Sequence, residues 1–202
     1  MPLSLLLGSL LACTAVSEQP LTETASDPTV PSWDFNTASL FDAPYPSDLR
    51  RSESGTIDLS TFPNPYSLSI IDNYIDIANT LDGYGTSSPL YIKFSGPIDA
   101  TLLPDPANSI LTDSPLQLVN VDPDSEHWGV RVPITHKYTE KETAYQPSYL
   151  LSVTPFYGFV LEPNTTYALL VTTTLADQNL EFAETLEPDS DLYTHMAPLV
   201  DT

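Results

Sequence analysis

The chain has 202 residues, 41% of them apolar, enough for one domain with a real core. Its 20 prolines, about twice the usual share, argue against an all-helical architecture, because proline breaks helix interiors and is at home in turns and edge strands. Six Lys and Arg against 27 Asp and Glu give a formal charge of −21, which repels phosphate backbones, excludes nucleic acid as a partner and leaves cations or basic partners as the allowed counterparts.

The first element is an apolar run over residues 3–12, too short for a bilayer span of roughly 20 residues and suited to the centre of a signal peptide. It ends in Leu10-Leu11-Ala12-Cys13, which resembles the lipobox of bacterial lipoproteins. The resemblance implies cleavage before Cys13 and lipid on its thiol, with each buried CH₂ contributing about 0.8 kcal/mol of membrane affinity. On this reading residues 1–12 are a signal peptide and residues 13–32 a lipid anchor with an acidic tether. The protein is then expected in the cell envelope as an outer membrane lipoprotein. Residues 14–31 are rich in Ser, Thr, Glu, Asp and Pro and carry few large apolar groups, a composition that stays solvated. Cys13 is the one cysteine, so no intrachain disulfide can form.

Residues 33–180 are expected to form one domain. A helix is predicted over 65–82, with Asn64 as N-cap, Pro65 first, Ile71, Tyr74, Ile75, Ala78 and Leu81 at helical spacing, and Gly83 to end it. From Pro89 the period changes to two. Leu90, Ile92 and Phe94 form one strand, residues 116–121 a second, and Val130, Val132 and Ile134 a third that Pro133 places at an edge or a bulge. Tyr149, Leu151 and Val153 make a fourth, and Tyr167, Leu169, Val171 and Thr173 line one face of a fifth. Tyr167 follows the Pro163-Asn164-Thr165 turn, and its ring is expected to be buried with the hydroxyl hydrogen-bonded. Strands at this spacing predict an all-β fold, an antiparallel sandwich with the one helix packed against it. The tail, residues 181–202, can form one short helix.

Two stretches resemble bacterial immunoglobulin-like domains: Tyr91-Ile92-Lys93-Phe94-Ser95-Gly96-Pro97-Ile98-Asp99, a strand entering a Gly-Pro turn, and Leu161-Glu162-Pro163-Asn164-Thr165-Thr166-Tyr167, a turn entering the last strand. A narrower resemblance runs over residues 41–175. Tyr45-Pro46-Ser47-Asp48-Leu49, then Leu81-Asp82-Gly83-Tyr84-Gly85-Thr86, then Phe94-Ser95-Gly96-Pro97 occur in the order found in the N-terminal domain of bacterial surface lipases and lysophospholipases. That resemblance implies an Ig-like sandwich and a following α/β-hydrolase domain as neighbour. The nucleophile motif of that family is missing from this sequence, so none of its catalytic residues carries over.

The residues themselves offer little catalytic chemistry. A nucleophile elbow needs Gly-x-Ser-x-Gly, and no two of the seven glycines stand four apart. Gly83-Tyr84-Gly85 is followed by Ser88 where a dinucleotide loop needs glycine. His127, His136 and His195 have no zinc spacing with each other or with Cys13. Asp122, Asp124 and Glu126 alternate in one loop, where carboxylates at spacing two can converge on calcium, although Asp-Pro-Asp is also ordinary turn chemistry. Asn164-Thr165-Thr166 is a sequon that also reads as a turn. No other cofactor is indicated. The sequence-based expectation is a non-catalytic, lipid-anchored binding or spacer domain with an envelope protein or hydrolase domain as partner, or else the N-terminal region of a surface lipase or esterase.

Overall fold

The structure, a computed structural model, describes residues 27–36, 39–52 and 54–179. The expected signal peptide, Cys13, most of the expected tether, and His195 with the rest of the tail lie outside these residues. The fold is all-β with one helix. Strands β1 (Leu90–Lys93), β5 (Leu150–Pro155) and β4 (Ile134–Thr139) form one antiparallel sheet in that order. Strands β3 (Arg131–Val132), β2 (Leu116–Asn120) and β6 (Tyr167–Val171) form the other.

Alternation explains which side chains meet. Ile92 stands opposite Leu151, and Leu151 opposite Tyr138, so the apolar members of β1, β5 and β4 share one face. In the second sheet Leu118 stands between Val132 and Leu169, and Leu116 opposite Val171. The two apolar faces enclose a single cluster around Phe94, Leu116, Leu118, Ile134, Leu151 and Val153, each fully buried. Each such side chain contributes about 1.5–3 kcal/mol. The outer face of β2 is closed as well. Gln117 is buried there, its Nε2 donating to the carbonyls of Thr112 (3.1 Å) and Ser114 (2.8 Å) while its Oε1 accepts from Arg131 Nε at 2.6 Å.

Pro133 does more than mark an edge. The chain pairs with β2 up to Val132 and with β5 from Ile134, so it changes sheets at the proline. Without an N–H, Pro133 cannot continue the first ladder, and its carbonyl accepts Phe156 N–H at 2.7 Å on the other side.

Three expectations are corrected. The helix, α1, runs over Ser69–Ala78 and not 65–82. Asn64 does hold its start, with Oδ1 accepting Leu68 N–H and Nδ2 donating to Leu68 O and Asp72 Oδ1, but Ser67 sits at φ 50°, outside the helical region, and delays it. None of its residues is buried: Ile71, Ile75 and Ala78 are half-buried, while Ile70, Tyr74 and Ile77 face solvent. The domain also starts before residue 33. Ser32 N–H donates to Lys93 O (2.8 Å) and Ser95 N–H to Val30 O (2.9 Å), so the end of the expected tether lies along the edge of β1. Finally, Tyr167 is half-buried and not fully buried, although its hydroxyl does accept Glu162 N–H at 3.1 Å across the turn. Asn164 takes the left-handed conformation of that turn at φ 54°, which Asn tolerates better than most residues.

Candidate functional site

A groove of about 980 Å³ opens between the two sheets, bounded by β1 on one side and β6 on the other. Its first wall begins at Tyr45, which forms an antiparallel bridge with Tyr91: Tyr45 N–H donates to Tyr91 O at 3.0 Å, and Tyr91 N–H donates back. The Tyr45 ring then meets Tyr84 edge-on, with centroids 5.6 Å apart and planes at 87°. Tyr84 is fixed at its far end, where the hydroxyl donates to Ser47 O at 2.7 Å. Arg51 locks the same wall. It pairs with Asp48 Oδ1 (2.7 Å), donates to Asp82 O (2.8 Å) and stacks over the Tyr84 ring at 5.7 Å.

Burial pushes the phenols of Tyr45, Tyr84 and Tyr91 above their ordinary range. At Tyr45 the neighbouring Tyr84 and Tyr91 add to the effect, and Arg50 opposes it. The aromatic wall therefore stays neutral through the physiological range. Arg50 lies behind the wall, donating to Leu40 O at 2.8 Å and stacking over Phe35 at 5.3 Å, with burial lowering its proton affinity.

The second wall is β6. All five of its residues are half-buried, whereas all five of β2 are buried. Tyr167, Leu169 and Val171 pack on the core cluster and also line the groove. Thr172 stands at the end of this wall with its Oγ1 buried and unpartnered among the described residues. Asp48, Arg51, Asp82, Glu162 and Asp177 are the charged residues that line the groove, four carboxylates against one guanidinium.

The expected calcium loop lies beside the groove, in a pocket of about 290 Å³ lined by Asp122, Asp124, Glu126 and Glu162 among others. The three alternating carboxylates do not converge. Asp122 spends Oδ1 on Asp124 N–H (3.0 Å) and Oδ2 on Thr166 N–H (3.3 Å), which pins the loop to the start of β6. Among the described residues, no group of three or more His, Cys, Asp or Glu side chains is arranged to hold a metal ion. The turn chemistry of Asp-Pro-Asp accounts for this loop, and the calcium expectation for Asp122, Asp124 and Glu126 is withdrawn.

The same pocket brings together a serine, a histidine and a carboxylate. His127 Nδ1 lies 2.7 Å from Glu162 Oε1, and Ser125 Oγ lies 3.4 Å from Glu162 Oε2. A nucleophile would need Ser125 Oγ bonded to the imidazole. Instead it accepts Asn120 Nδ2 (2.9 Å) and the backbone N–H of His127 (3.1 Å) and turns toward Glu162. These contacts brace a loop and leave the hydroxyl unactivated. His136 sits on the inner face of β4 with Nε2 3.0 Å from Pro104 O.

Sequence reasoning did not single out Trp33, Tyr45, Tyr84, Tyr91 or Arg51 as a group. Their signal was present in another form. Residues 45–48 and 82–86, quoted for the lipase resemblance, line one wall of the groove. No family model, curated protein or solved structure matches the chain.

Proposed function

We propose that this chain is a non-catalytic binding domain of the cell envelope, held at the outer membrane by lipid on Cys13, whose groove receives a partner. The observation that carries the reading is the groove wall. Two motifs separated by more than thirty residues are clamped together by the Tyr84–Ser47 and Arg51–Asp82 bonds, and both face the same concave, largely apolar space. Pockets of this size with a few fixed polar groups at the rim are typical of binding sites. The anchor rests on the lipobox resemblance and on the solvated composition of the tether.

The experiment is fractionation of cells making the full chain. The wild type partitions with membranes and Cys13→Ser appears in the soluble fraction. A wild type that is soluble and carries no lipid overturns the anchor. The purified chain leaves short and long acyl esters intact, and turnover lost on replacing one serine and one histidine overturns the non-catalytic reading.

A second reading has support from the same wall, since its residues are those on which the resemblance to the N-terminal domain of surface lipases rests. There the chain is the front region of such an enzyme and the groove faces the hydrolase domain. A hydrolase reading frame in the DNA directly after codon 202 favours this second reading.

A further inference from the structure

Among the described residues, the edge of β6 is bare in a way that no other edge of the two sheets is. Val121 N–H donates to Thr166 O at 2.9 Å and Thr172 N–H to Pro115 O at 3.0 Å, which fixes the phase of the β2–β6 ladder. With that phase, Ala168 and Leu170 bond to β2, and Tyr167, Leu169 and Val171 turn their N–H and C=O groups outward. Among the described residues nothing pairs with those outward groups.

The other edges are protected by familiar devices. The outer side of β1 is covered by Tyr45 and by residues 30–32. β3 has two residues and stops at Pro133. β4 carries the exposed Lys137 at its middle. β6 reads Tyr-Ala-Leu-Leu-Val, with no charge, proline or bulge, and its side chains are only half covered. An apolar edge about 17 Å long, with its donors and acceptors facing a groove, is a template for one more strand.

We infer that the groove binds an extended segment of a partner polypeptide, which pairs along Tyr167, Leu169 and Val171 as an added strand and directs every second, apolar side chain toward the Tyr45–Tyr84–Tyr91 wall. This rests on the reading of the groove as a binding site. Charge selects the occupant. The rim carries four carboxylates and one guanidinium, so a segment with basic residues flanking its apolar positions fits. A second copy of this chain does not, because it brings the same rim and another −21 of charge.

The probe is a labelled octapeptide, Lys-Thr-Val-Thr-Val-Thr-Val-Lys, titrated by fluorescence anisotropy against the full chain bearing Cys13→Ser. A peptide of the same composition with its three valines contiguous controls for charge. The expected result is saturable binding of the alternating peptide, at least about tenfold tighter than the control. N-methylation of one alternate set of peptide amides weakens binding about tenfold or more, while methylation of the other set, which faces away from β6, leaves it nearly unchanged. Leu169→Pro removes an outward N–H without touching the β2 ladder and abolishes binding; circular dichroism confirms that this variant folds, and the methylated peptides carry the test if it does not.

Absence of saturable binding at millimolar peptide overturns the inference. So does binding that ignores both methylations, which marks the groove as an apolar pocket for small molecules. Sedimentation showing a dimer dispersed by Leu169→Pro assigns the edge to a second copy and also overturns it. Loss of strand capture with Cys13-dependent membrane partition intact removes this inference alone. Strand capture by a wild type that stays soluble removes the anchored reading alone.

Discussion

β2 and β6 are neighbours in one sheet, paired residue for residue from Leu116 opposite Val171 to Asn120 opposite Tyr167. By composition β6 is the more apolar: Tyr-Ala-Leu-Leu-Val against Leu-Gln-Leu-Val-Asn. Yet every residue of β2 is buried and every residue of β6 is half-buried. Position in the sheet, not hydropathy, decides the difference. β2 has a strand on each side and Gln117 tied to the loop that covers its outer face. β6 has a strand on one side and a groove on the other. A buried polar residue with all its partners is tolerated at the centre of the sheet, while apolar residues at its edge are left partly wet.

The comparison yields a graded set of outcomes in chemical denaturation. Leu118→Ala, at the fully buried centre of β2, is expected to cost about 2–5 kcal/mol. The equivalent cut in the half-buried neighbour, Leu169→Ala, is expected to cost about half as much, since less apolar surface returns to water. Equal losses at the two sites would mean that β6 is as covered as β2 and that the groove is closed in solution. Tyr167→Phe keeps the ring and removes the acceptor for Glu162 N–H, for an expected cost of about 0.5–1.5 kcal/mol. No change would place the hydroxyl in water and break the link between the turn and the strand.

How much of this was legible follows from the range of each interaction. The strands were legible because period-two alternation is local, and Leu90, Ile92, Leu151 and Val153 turn inward as their spacing requires. Pro133 was legible as a break because a missing N–H is a property of one residue. The hydroxyl bond of Tyr167 was legible from the turn that precedes it, but the burial of its ring was not, because burial depends on whether another strand lies beyond β6. The helix start was misplaced because the left-handed Ser67 is set by the Asn64–Leu68–Asp72 contacts and not by the apolar period. The groove joins residues near 45, 84, 91 and 167, which only sheet pairing brings together, so no window of sequence contains it. The calcium reading of the Asp122 loop failed for a related reason. Spacing places carboxylates near one another but does not show that backbone amides have already occupied Asp122.

The smallest expected effect concerns pH and sharpens the other wall. Burial holds the phenols of Tyr45, Tyr84 and Tyr91 above the ordinary value of 10.0. The folded chain therefore keeps protons that the unfolded chain releases as pH rises past 10. This contribution to stability is complete below pH 10 and is lost as pH climbs through the folded-state values. Absorbance at the phenolate band should show these rings ionising later in the folded chain than in urea, with the denaturation midpoint falling above pH 10. A tyrosine titration identical in the folded and unfolded chain would place the aromatic wall in open solvent.

The most direct measurement is amide hydrogen exchange, read residue by residue along β6 in the free full-length chain. An open edge produces an alternating pattern: the Ala168 and Leu170 amides, bonded to β2, are protected, and the Tyr167, Leu169 and Val171 amides exchange at least about a hundredfold faster. Uniform protection across all five amides, unchanged on dilution, would contradict the account, because it would mean that the chain already covers this edge and that no strand is missing from the sheet.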